Sequence, residues 1–496
     1  MSSKKQPHLI LVTCALLMSN IMAGLDATIV NTAMPAITSD LHGLSYMGWI
    51  VATFLLGMSV SSSLWSKFGE HVGNKVAFVL ATTLFLIGTI AQGLATNIQF
   101  FIIGRTIMGI GAGGVNIIPM IVYGFLYDDL KKRAQVIGLA SAFFNTASIV
   151  GPLVGGWIVD FFGWRWIFFI NVPIALISVV IVSMLFKPSH RMAAGKKIDI
   201  PGAVSMIIGL SLILTGIEMI GSIPNWETAI LLIAGVVMMI VMFKLESHSD
   251  DAIIPTRFFT NHRLLVDFVF FMIMWGAFIA FLTYVPMWAQ GILGLSAFIG
   301  GVTQIPGAIT NFLGSELVAV INYRHIKYWL ICGGIVSLAV AFLIVIIVGQ
   351  STPFWLLLVA GAFQGFGVGL NFNLLQMSVQ TDVPLNDMPA ATSVAYLLRI
   401  LSQTMMSAVY GVVLNNTLAE HLRSHHGITM TMMNKLTNAA TAKDLPQDLM
   451  PIMRHILYDA YHNIMYVGLG LTLVALILSI IVAIRKTRQY RETLNG

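Results

Sequence analysis

The sequence has very little charge, and this shortage extends along the whole chain of 496 residues. Only 10% of the residues are Asp, Glu, Lys or Arg, whereas 57% are apolar, and the mean hydropathy is +0.86. A water-soluble protein of this length cannot keep so much apolar surface away from water. The composition therefore excludes a soluble globular protein and indicates a membrane protein.

Cysteine is almost absent, and so are the clusters of polar residues that catalysis requires. Cys14 and Cys332 both lie inside apolar runs, which excludes a disulfide framework and gives no metal-ligand spacing. His, Cys and acidic residues are scattered through the apolar runs, and no nucleotide-binding P-loop occurs. We therefore expect no enzyme activity, no metal, no cofactor and no ATP-driven pumping by this chain alone.

What the sequence has in abundance is apolar runs of membrane-spanning length. A bilayer core of about 30 Å requires roughly 20 apolar residues per helix, and such runs recur from one end of the chain to the other. The first run is too long for a signal-peptide core. We predict fourteen transmembrane helices, at 9–33, 47–66, 77–96, 99–121, 136–160, 166–186, 201–222, 228–246, 264–290, 298–321, 328–348, 353–378, 393–417 and 461–484.

The distribution of Lys and Arg predicts the orientation of these helices. If the N-terminus is cytoplasmic, inner loops and tails hold 20 of the 27 basic residues, and outer loops hold five. Four of these five lie in one long loop, 418–460. The positive-inside rule therefore predicts that both termini are cytoplasmic and that this loop is extracellular. Basic residues confined to such loops do not suggest a nucleic-acid partner.

A weak internal repeat suggests two related halves. Gly109-Ile110-Gly111-Ala112-Gly113 in span four resembles Gly365-Phe366-Gly367-Val368-Gly369 in span twelve, and an Asn follows each segment. Parallel repeats of this kind occur in secondary transporters, although glycine stripes are also common wherever membrane helices pack closely. We predict three parts: a six-helix bundle at 1–200, a two-helix insertion at 201–250, and a second six-helix bundle at 251–496 that carries the long loop.

The loop after span two resembles a signature of the major facilitator superfamily. It reads Ser66-Lys67-Phe68-Gly69-Glu70-His71-Val72-Gly73-Asn74-Lys75, whereas the superfamily pattern is G-x-L-A-D-R-x-G-R-R. The spacing is preserved, although Ser, Glu, His and Asn replace four of the signature residues. The resemblance implies a cytoplasmic gate, and a charged loop that merely follows the positive-inside rule is the alternative. The candidate gate residues are Gly69, Glu70, Gly73 and Lys75.

Two further motifs lie inside spans. Gly104-Arg105-Thr106-Ile107-Met108-Gly109 in span four is similar to the superfamily's R-x-x-x-G motif, and an arginine inside an apolar span requires a partner or a wet cavity.

Span five contains Gly151-Pro152-Leu153-Val154-Gly155-Gly156, which resembles the antiporter motif G-P-x-x-G-G. The resemblance implies that this motif seals the path against leakage, whereas a kink that serves only packing is the alternative.

Two longer strings narrow the resemblance to one branch of the superfamily. Span one carries L-D-A-T-I-V-N-T-A-M-P at 25–35, and the start of span six carries W-R-W-I-F-F-I-N-V-P at 164–173. Together with the span count, they look like the fourteen-helix drug:proton antiporter branch. The resemblance implies a bacterial plasma-membrane monomer surrounded by lipid. It also implies that hydrophobic, often cationic, small molecules are exported in exchange for protons, driven by the proton gradient without a cofactor.

We predict that Asp26 and Arg105 form the centre of proton coupling. Asp26 lies about 10 Å below the predicted outer end of span one, and Arg105 lies about 9 Å deep in span four. Burial and a neighbouring arginine act in opposite directions on a carboxyl group, so their balance can produce a group that exchanges protons. A permanently ionised structural pair is the alternative.

Other charged residues also lie within the predicted spans. Glu316 and Glu218 are candidates for a second proton or cation contact, and Glu316 is the deeper of the two. Asp267 lies within a turn of a span end and is interpreted as wetted. Arg399 is a candidate in the second half, but the paired glycines that often follow this Arg in relatives are missing, and extension of its side chain to the helix end competes with a functional role.

Other functions remain possible on the same scaffold. An exporter or flippase of one lipid or metabolite would use the same motifs. A proton-coupled uptake symporter is disfavoured by the antiporter motif and by the two additional central helices. A membrane enzyme would require clustered polar residues that the spans lack.

Overall fold

The computed structural model describes residues 6–127, 129–186, 200–221, 223–246, 256–320, 326–351, 353–384, 387–425 and 427–495. In these ranges every regular element is helical, which confirms the all-α prediction. The chain divides into two compact units, Met1–Pro255 and Thr256–Gly496.

The described part of the first unit contains nine α-helices. They are α1 (Gln6–Asp40), α2 (Met47–Val72), α3 (Asn74–Gly93), α4 (Ile98–Leu126), α5 (Leu130–Phe162), α6 (Trp166–Phe169), α7 (Asn171–Leu185), α8 (Ile200–Glu218) and α9 (Asn225–Glu246). The described part of the second unit contains eight more. They are α10 (His262–Gly291), α11 (Ala297–Val302), α12 (Ile305–Val320), α13 (Lys327–Val348), α14 (Phe354–Thr381), α15 (Met388–Ser424), α16 (Met430–Leu436) and α17 (Met450–Asn495).

Each of the fourteen predicted spans overlaps at least one of these helices. By length and hydropathy, eleven helices in the described residues can cross a membrane. The apolar segments Val150–Phe162 of α5 and Val204–Glu218 of α8 are shorter. The number fourteen therefore stays a prediction. The predicted helix ends were wrong in several places, for example where α1 continues to Asp40 and α17 begins at Met450. Hydropathy marks only the apolar part of a helix, whereas backbone hydrogen bonding continues through the polar residues beyond it.

In the first unit, α4 packs closely against both α2 and α3. A methyl group at Gly109 or Gly113 would overlap the α2 backbone, and one at Gly111 would overlap the α3 backbone. Glycines that follow one another along this stripe therefore face two different helices in turn. Glycine at these positions allows helix backbones to approach more closely than any other residue would permit.

The second unit repeats this arrangement with the second glycine stripe. A methyl group at Gly365 or Gly369 would overlap the α12 backbone, and one at Gly367 would overlap the α13 backbone. The two stripes therefore make the same alternating contacts. In each stripe the first and last glycines face the helix two places earlier in the chain, and the middle glycine faces the helix directly before. This shared register supports the repeat interpretation over an accidental similarity between glycine-rich segments.

The two predicted insertion helices, α8 and α9, pack against each other, and α8 also contacts α2. Both lie in the first unit, which extends to Pro255. The predicted boundary at 250/251 lies outside the described residues, so the three-part division stays a prediction.

The predicted loop 418–460 contains more helix than its name suggests. It includes the last turns of α15, the short helix α16, a 3₁₀ turn at Thr441–Asp444 and the beginning of α17. His421 of α15 and His455 of α17 both approach Asp459, with nitrogen–oxygen distances of 3.2 and 3.6 Å. The His421 contact joins the two helices at this end of the unit, whereas His455 and Asp459 lie one turn apart within α17.

Candidate functional site

Asp26 of α1 and Arg105 of α4 meet inside the first unit. Their side chains are 2% and 7% exposed, and Arg105 Nη1 lies 3.9 Å from Asp26 Oδ2. Helix α4 begins at an Asn97 cap, whose side chain accepts a hydrogen bond from the Phe100 amide, and this start places Arg105 two turns into the helix. The structure thus brings together the two residues that the sequence predicted as a pair.

The surroundings of this pair are largely apolar. The Arg105 guanidinium stacks over the Phe54 ring at 4.0 Å from its centre, and Nη1 also lies 4.0 Å from the Met108 sulfur. Neither carboxyl oxygen of Asp26 has a hydrogen-bond partner among the described residues, and neither does Nε of Arg105. A buried carboxyl with unused hydrogen-bonding capacity can accept a proton or contact a cation.

The glycines of the span-five motif contact the turns of α1 that carry Asp26. Any side chain at Gly151 would overlap Thr28, and any side chain at Gly155 would overlap Ile29. Pro152 and Gly156 are buried beside them. The motif therefore holds α5 almost in backbone contact with α1, directly after the predicted coupling acid.

Hydrogen bonds at Ser148 strengthen this contact between α5 and α1. The Thr28 hydroxyl donates to the Ser148 carbonyl at 3.0 Å, and the Ser148 hydroxyl donates to the Gly24 carbonyl at 3.1 Å. Sequence reasoning missed Ser148, although small residues at 148, 151 and 155 have the spacing of a close helix contact. Phe54 was also missed, and no local pattern marks it.

The predicted gate loop is much shorter than expected. Helix α2 continues through Gly69 and Glu70, and α3 begins immediately after Gly73, which has a φ of +95°. This left-handed conformation favours glycine and allows the sharp turn. The side chain of Glu70 is exposed, that of Lys75 is half-buried, and Gly69 packs against Asn74.

Neither Glu218 nor Glu316 joins the Asp26–Arg105 pair. Glu218 is buried at the end of α8 and lies against Gly48 of α2, six residues from Phe54 and therefore about 9 Å along that helix. Neither of its carboxyl oxygens has a hydrogen-bond partner in the part of the chain that is described. Glu316 is exposed on α12.

The interpretation of Asp267 as a wetted residue was wrong. Its side chain is fully buried, and Oδ2 accepts hydrogen bonds from the Ser378 hydroxyl and from Lys327 Nζ, the latter at 3.1 Å. Asp382 is the second acid near this lysine, with 4.0 Å between Lys327 Nζ and its carboxylate. The cluster joins α10, α13 and α14. The position of Asp267 near a helix end suggested contact with water, but neighbouring helices cover the residue, and the local sequence does not show this.

The Trp164-Arg165 string that marks the family branch forms a cap on α1. Arg165 Nη1 and the Trp164 indole donate hydrogen bonds to Asp40, the last residue of α1, at 2.7 and 3.0 Å. Arg165 Nη2 also donates to the Ala95 carbonyl just beyond α3. This string therefore ties the ends of α1 and α3 to the turn before α6.

Arg399 of α15 lies among aromatic rings of the second unit. Its guanidinium carbon is 5.4 Å from the centre of the Trp275 ring, 5.3 Å from that of Phe372 and 4.8 Å from that of Tyr396. The side chain packs against these rings, so the alternative in which it extends to the helix end does not apply.

A sequence model described as the Major Facilitator Superfamily matches residues 16–407. The "Multidrug transporter protein MdtP" of Bacillus subtilis (strain 168) is 29% identical over 94% of this chain and 91% of its own length. "Multidrug resistance protein 3" of the same organism is 28% identical over 85% of this chain and 82% of its own. The "Rubrofusarin-specific efflux pump aurT" of Gibberella zeae is 26% identical over 94% of this chain and 88% of its own.

Solved structures share the fold at low sequence identity. A bacterial homologue of the human lysosomal transporter Spinster aligns with a TM-score of 0.66 at 14% identity, covering 99% of this chain and 98% of its own. The nucleoside transporter NupG aligns with a TM-score of 0.64 at 12% identity, covering 96% of this chain and 99% of its own. These alignments confirm the predicted fold class.

Proposed function

The chain belongs to the major facilitator superfamily, and on this premise we propose that it is a proton-coupled antiporter that exports hydrophobic, often cationic, small molecules. The observation that carries the proposal is the buried Asp26–Arg105 pair of α1 and α4. An ionisable acid inside an apolar span is costly, and such residues mark ion or substrate paths in transporters.

Competition at one carboxyl group supplies the coupling in this proposal. A bound cation favours the ionised form of Asp26, and protonation of Asp26 favours release of the cation. This reciprocity is required thermodynamically whenever two ligands compete for one group. Arg105 sets the balance because its positive charge stabilises the ionised carboxylate.

The neighbouring motif fits the same role. Gly151 and Gly155 hold α5 against the turns of α1 that follow Asp26, which leaves little space for water beside the acid on that side. Exclusion of water from this contact would limit proton leakage when no substrate is exchanged.

The relatives support export, and they also support a second candidate function. Two relatives are named for multidrug transport or resistance, and a third is named as an efflux pump specific for rubrofusarin. An exporter of one metabolite or lipid therefore remains the alternative. The Phe54 ring and the Met108 thioether beside Arg105 favour the broader range of substrates, because such surfaces adapt to varied apolar ligands.

Transport into proteoliposomes with an imposed pH gradient tests the proposal. A panel of lipophilic cations, neutral drugs and lipid analogues is offered, and an enclosed pH-sensitive dye reports proton movement. We expect several cations to accumulate against their gradient as protons flow the other way. Accumulation of a single compound would favour the metabolite exporter, and movement of substrate and protons in the same direction would indicate a symporter.

Variants of the pair identify the coupling residue. Asp26→Asn and Arg105→Ala should each reduce pH-driven accumulation at least about tenfold, and the double variant should be no worse than either. Asp448→Asn, which changes an exposed acid, is the matched control and should keep the wild-type rate. If Asp26→Asn still accumulates a cation at that rate, Asp26 is not the coupling site, and Glu316 is the next residue to test.

A further inference from the structure

The second unit contains a half-buried arginine, Arg399, whose environment differs from that of Arg105. The Arg399 cage, as we name it, consists of the four side chains of Arg399, Trp275, Phe372 and Tyr396. Arg399 lies eleven residues into α15, about 16 Å along the helix. Rings from α10, α14 and α15 surround it, so three helices of one unit build the cage.

Arg399 has no acidic partner in the described part of the chain. The Tyr396 ring lies beside its guanidinium, and its Nε donor has no hydrogen-bond acceptor there. Arg105, by contrast, faces Asp26. A guanidinium carries five N–H donors at its edge, and contact between its flat face and aromatic rings leaves those donors unused.

The cage is held in place by contacts between α15 and α10. Where relatives often have paired glycines, Ser402 donates a hydrogen bond to the Met272 carbonyl at 2.5 Å. About two turns beyond Ser402 on α15, the Tyr410 hydroxyl donates to the Gly276 carbonyl at 2.8 Å. These bonds fix the helix that carries Arg399 against the helix that carries Trp275, so the cation is positioned before any ligand arrives.

The cage is also partly accessible. Trp275 is buried, whereas the side chains of Arg399, Phe372 and Tyr396 are each partly exposed. An arginine with unused edge donors binds a carboxylate through two parallel hydrogen bonds. The adjoining ring faces provide a surface for a flat aromatic molecule.

We propose that the Arg399 cage binds the carboxylate of aromatic zwitterionic or anionic substrates. This inference rests on the proposed export function and extends it, because the Asp26–Arg105 pair accounts only for cations. One chain would then accept molecules with a positive group and molecules with a negative group.

A pair of matched dyes tests the inference at equilibrium. The probes are a rhodamine with a free carboxylate and its methyl ester, which share the same cationic ring system. Binding of each dye to the full chain in phosphatidylcholine nanodiscs is followed by fluorescence anisotropy, without a pH gradient. We expect Arg399→Gln to weaken binding of the carboxylate dye at least about tenfold while binding of the ester changes less than about twofold. Arg399→Lys, which keeps the charge but loses the paired donors, should give an intermediate affinity.

Two controls separate a binding role from a structural one. Arg257→Gln removes an exposed arginine of the same unit and should change neither affinity. If Arg399→Gln weakens both dyes equally, the cage only supports the fold and the inference is wrong. Failure of the wild-type protein to bind the carboxylate dye would also overturn it, whereas failure of pH-driven transport counts against the proposed function alone.

The lipid phosphate group is the other source of negative charge for this cage. Repeating the measurement in phosphatidylglycerol nanodiscs distinguishes the two sources. We expect the affinity for the carboxylate dye to stay the same within about twofold. Displacement of the dye by this anionic lipid, with loss of the effect in Arg399→Gln, would assign the cage to a lipid headgroup instead.

Discussion

Three of the four acids that are buried in the described helices lie in quite different surroundings. Asp267 accepts hydrogen bonds from Lys327 and Ser378, Asp26 faces Arg105 without a hydrogen bond, and Glu218 lies against Gly48 with no partner found in the described residues. Asp267 uses one carboxyl oxygen in two hydrogen bonds, and its other oxygen has no partner in the described residues, whereas both oxygens of Asp26 are without one. An acid held by hydrogen bonds stabilises one arrangement of its helices, and an acid without a hydrogen bond can respond to a ligand. These differences separate a structural role for Asp267 from a functional role for Asp26.

Lys327→Met should destabilise the protein strongly, because it leaves the Asp267 carboxyl buried without its cation. Breaking one side of a buried ion pair costs about 3–5 kcal/mol. The apparent Tm of purified protein in detergent should therefore fall clearly, and the double variant with Asp267→Asn should lose less than the two single losses combined.

The exposed pair Arg257–Asp387, with 2.7 Å between its charged atoms, provides the control for this measurement. Asp387→Asn should cost about 1 kcal/mol or less, because solvent screens an exposed ion pair. Equal losses at the two pairs would contradict a buried structural role for the cluster around Lys327.

At the scale of helices, the contact between α1 and α5 joins two motifs that lie far apart in the sequence. The sequence marked the span-one string as a sign of one family branch and the span-five motif as a sign of antiporters. In the structure, Gly151 and Gly155 contact the residues that directly follow Asp26. The two motifs therefore meet at one contact between two helices.

Replacing Gly151 and Pro152 together, as Gly151→Val/Pro152→Ala, should uncouple transport while the protein remains folded. A valine side chain at 151 would overlap Thr28 and push α5 away from α1, which opens the segment after Asp26 to water. We expect the proton leak in proteoliposomes to rise and export per proton to fall, with the protein still monodisperse in detergent.

Leu153→Ala changes a half-buried residue of the same turn and keeps both motif residues, so it is the matched control. It should retain tight coupling. An unchanged leak and export rate in the Gly151→Val/Pro152→Ala variant would show that the motif serves packing alone.

At the scale of the whole molecule, the two units share an internal plan but differ in their charged residues. Each has a glycine stripe that packs against two neighbouring helices in the same alternating register. The first unit holds an acid–arginine pair, and the second holds an arginine among aromatic rings. Shared packing with different charges is the pattern expected when repeats keep their scaffold and specialise their ligands.

Cysteine labelling from outside the cell tests the predicted topology of the whole chain. After replacement of Cys14 and Cys332, an impermeant thiol reagent should modify a cysteine at Ser424, an exposed residue at the end of α15. A cysteine at Ser189, which lies outside the described residues, should react only after permeabilisation, because the positive-inside rule places its basic loop in the cytoplasm. Labelling of position 189 in intact cells would invert the predicted orientation.

The sequence alone determined the all-α membrane class, the approximate positions of the helices, the superfamily and the pairing of Asp26 with Arg105. Each of these depends on local patterns: the length of an apolar run, the spacing of a motif, or the depth of a residue along a helix of fixed rise. The tertiary structure decided where helices end beyond the apolar core, why Asp267 is buried, and what surrounds Arg399. Those features depend on which side chains a neighbouring helix brings within a few ångströms. Lys327 and Ser378 are separated from Asp267 by 60 and 111 positions, and Trp275 is separated from Arg399 by 124 positions, so no local pattern contains these contacts.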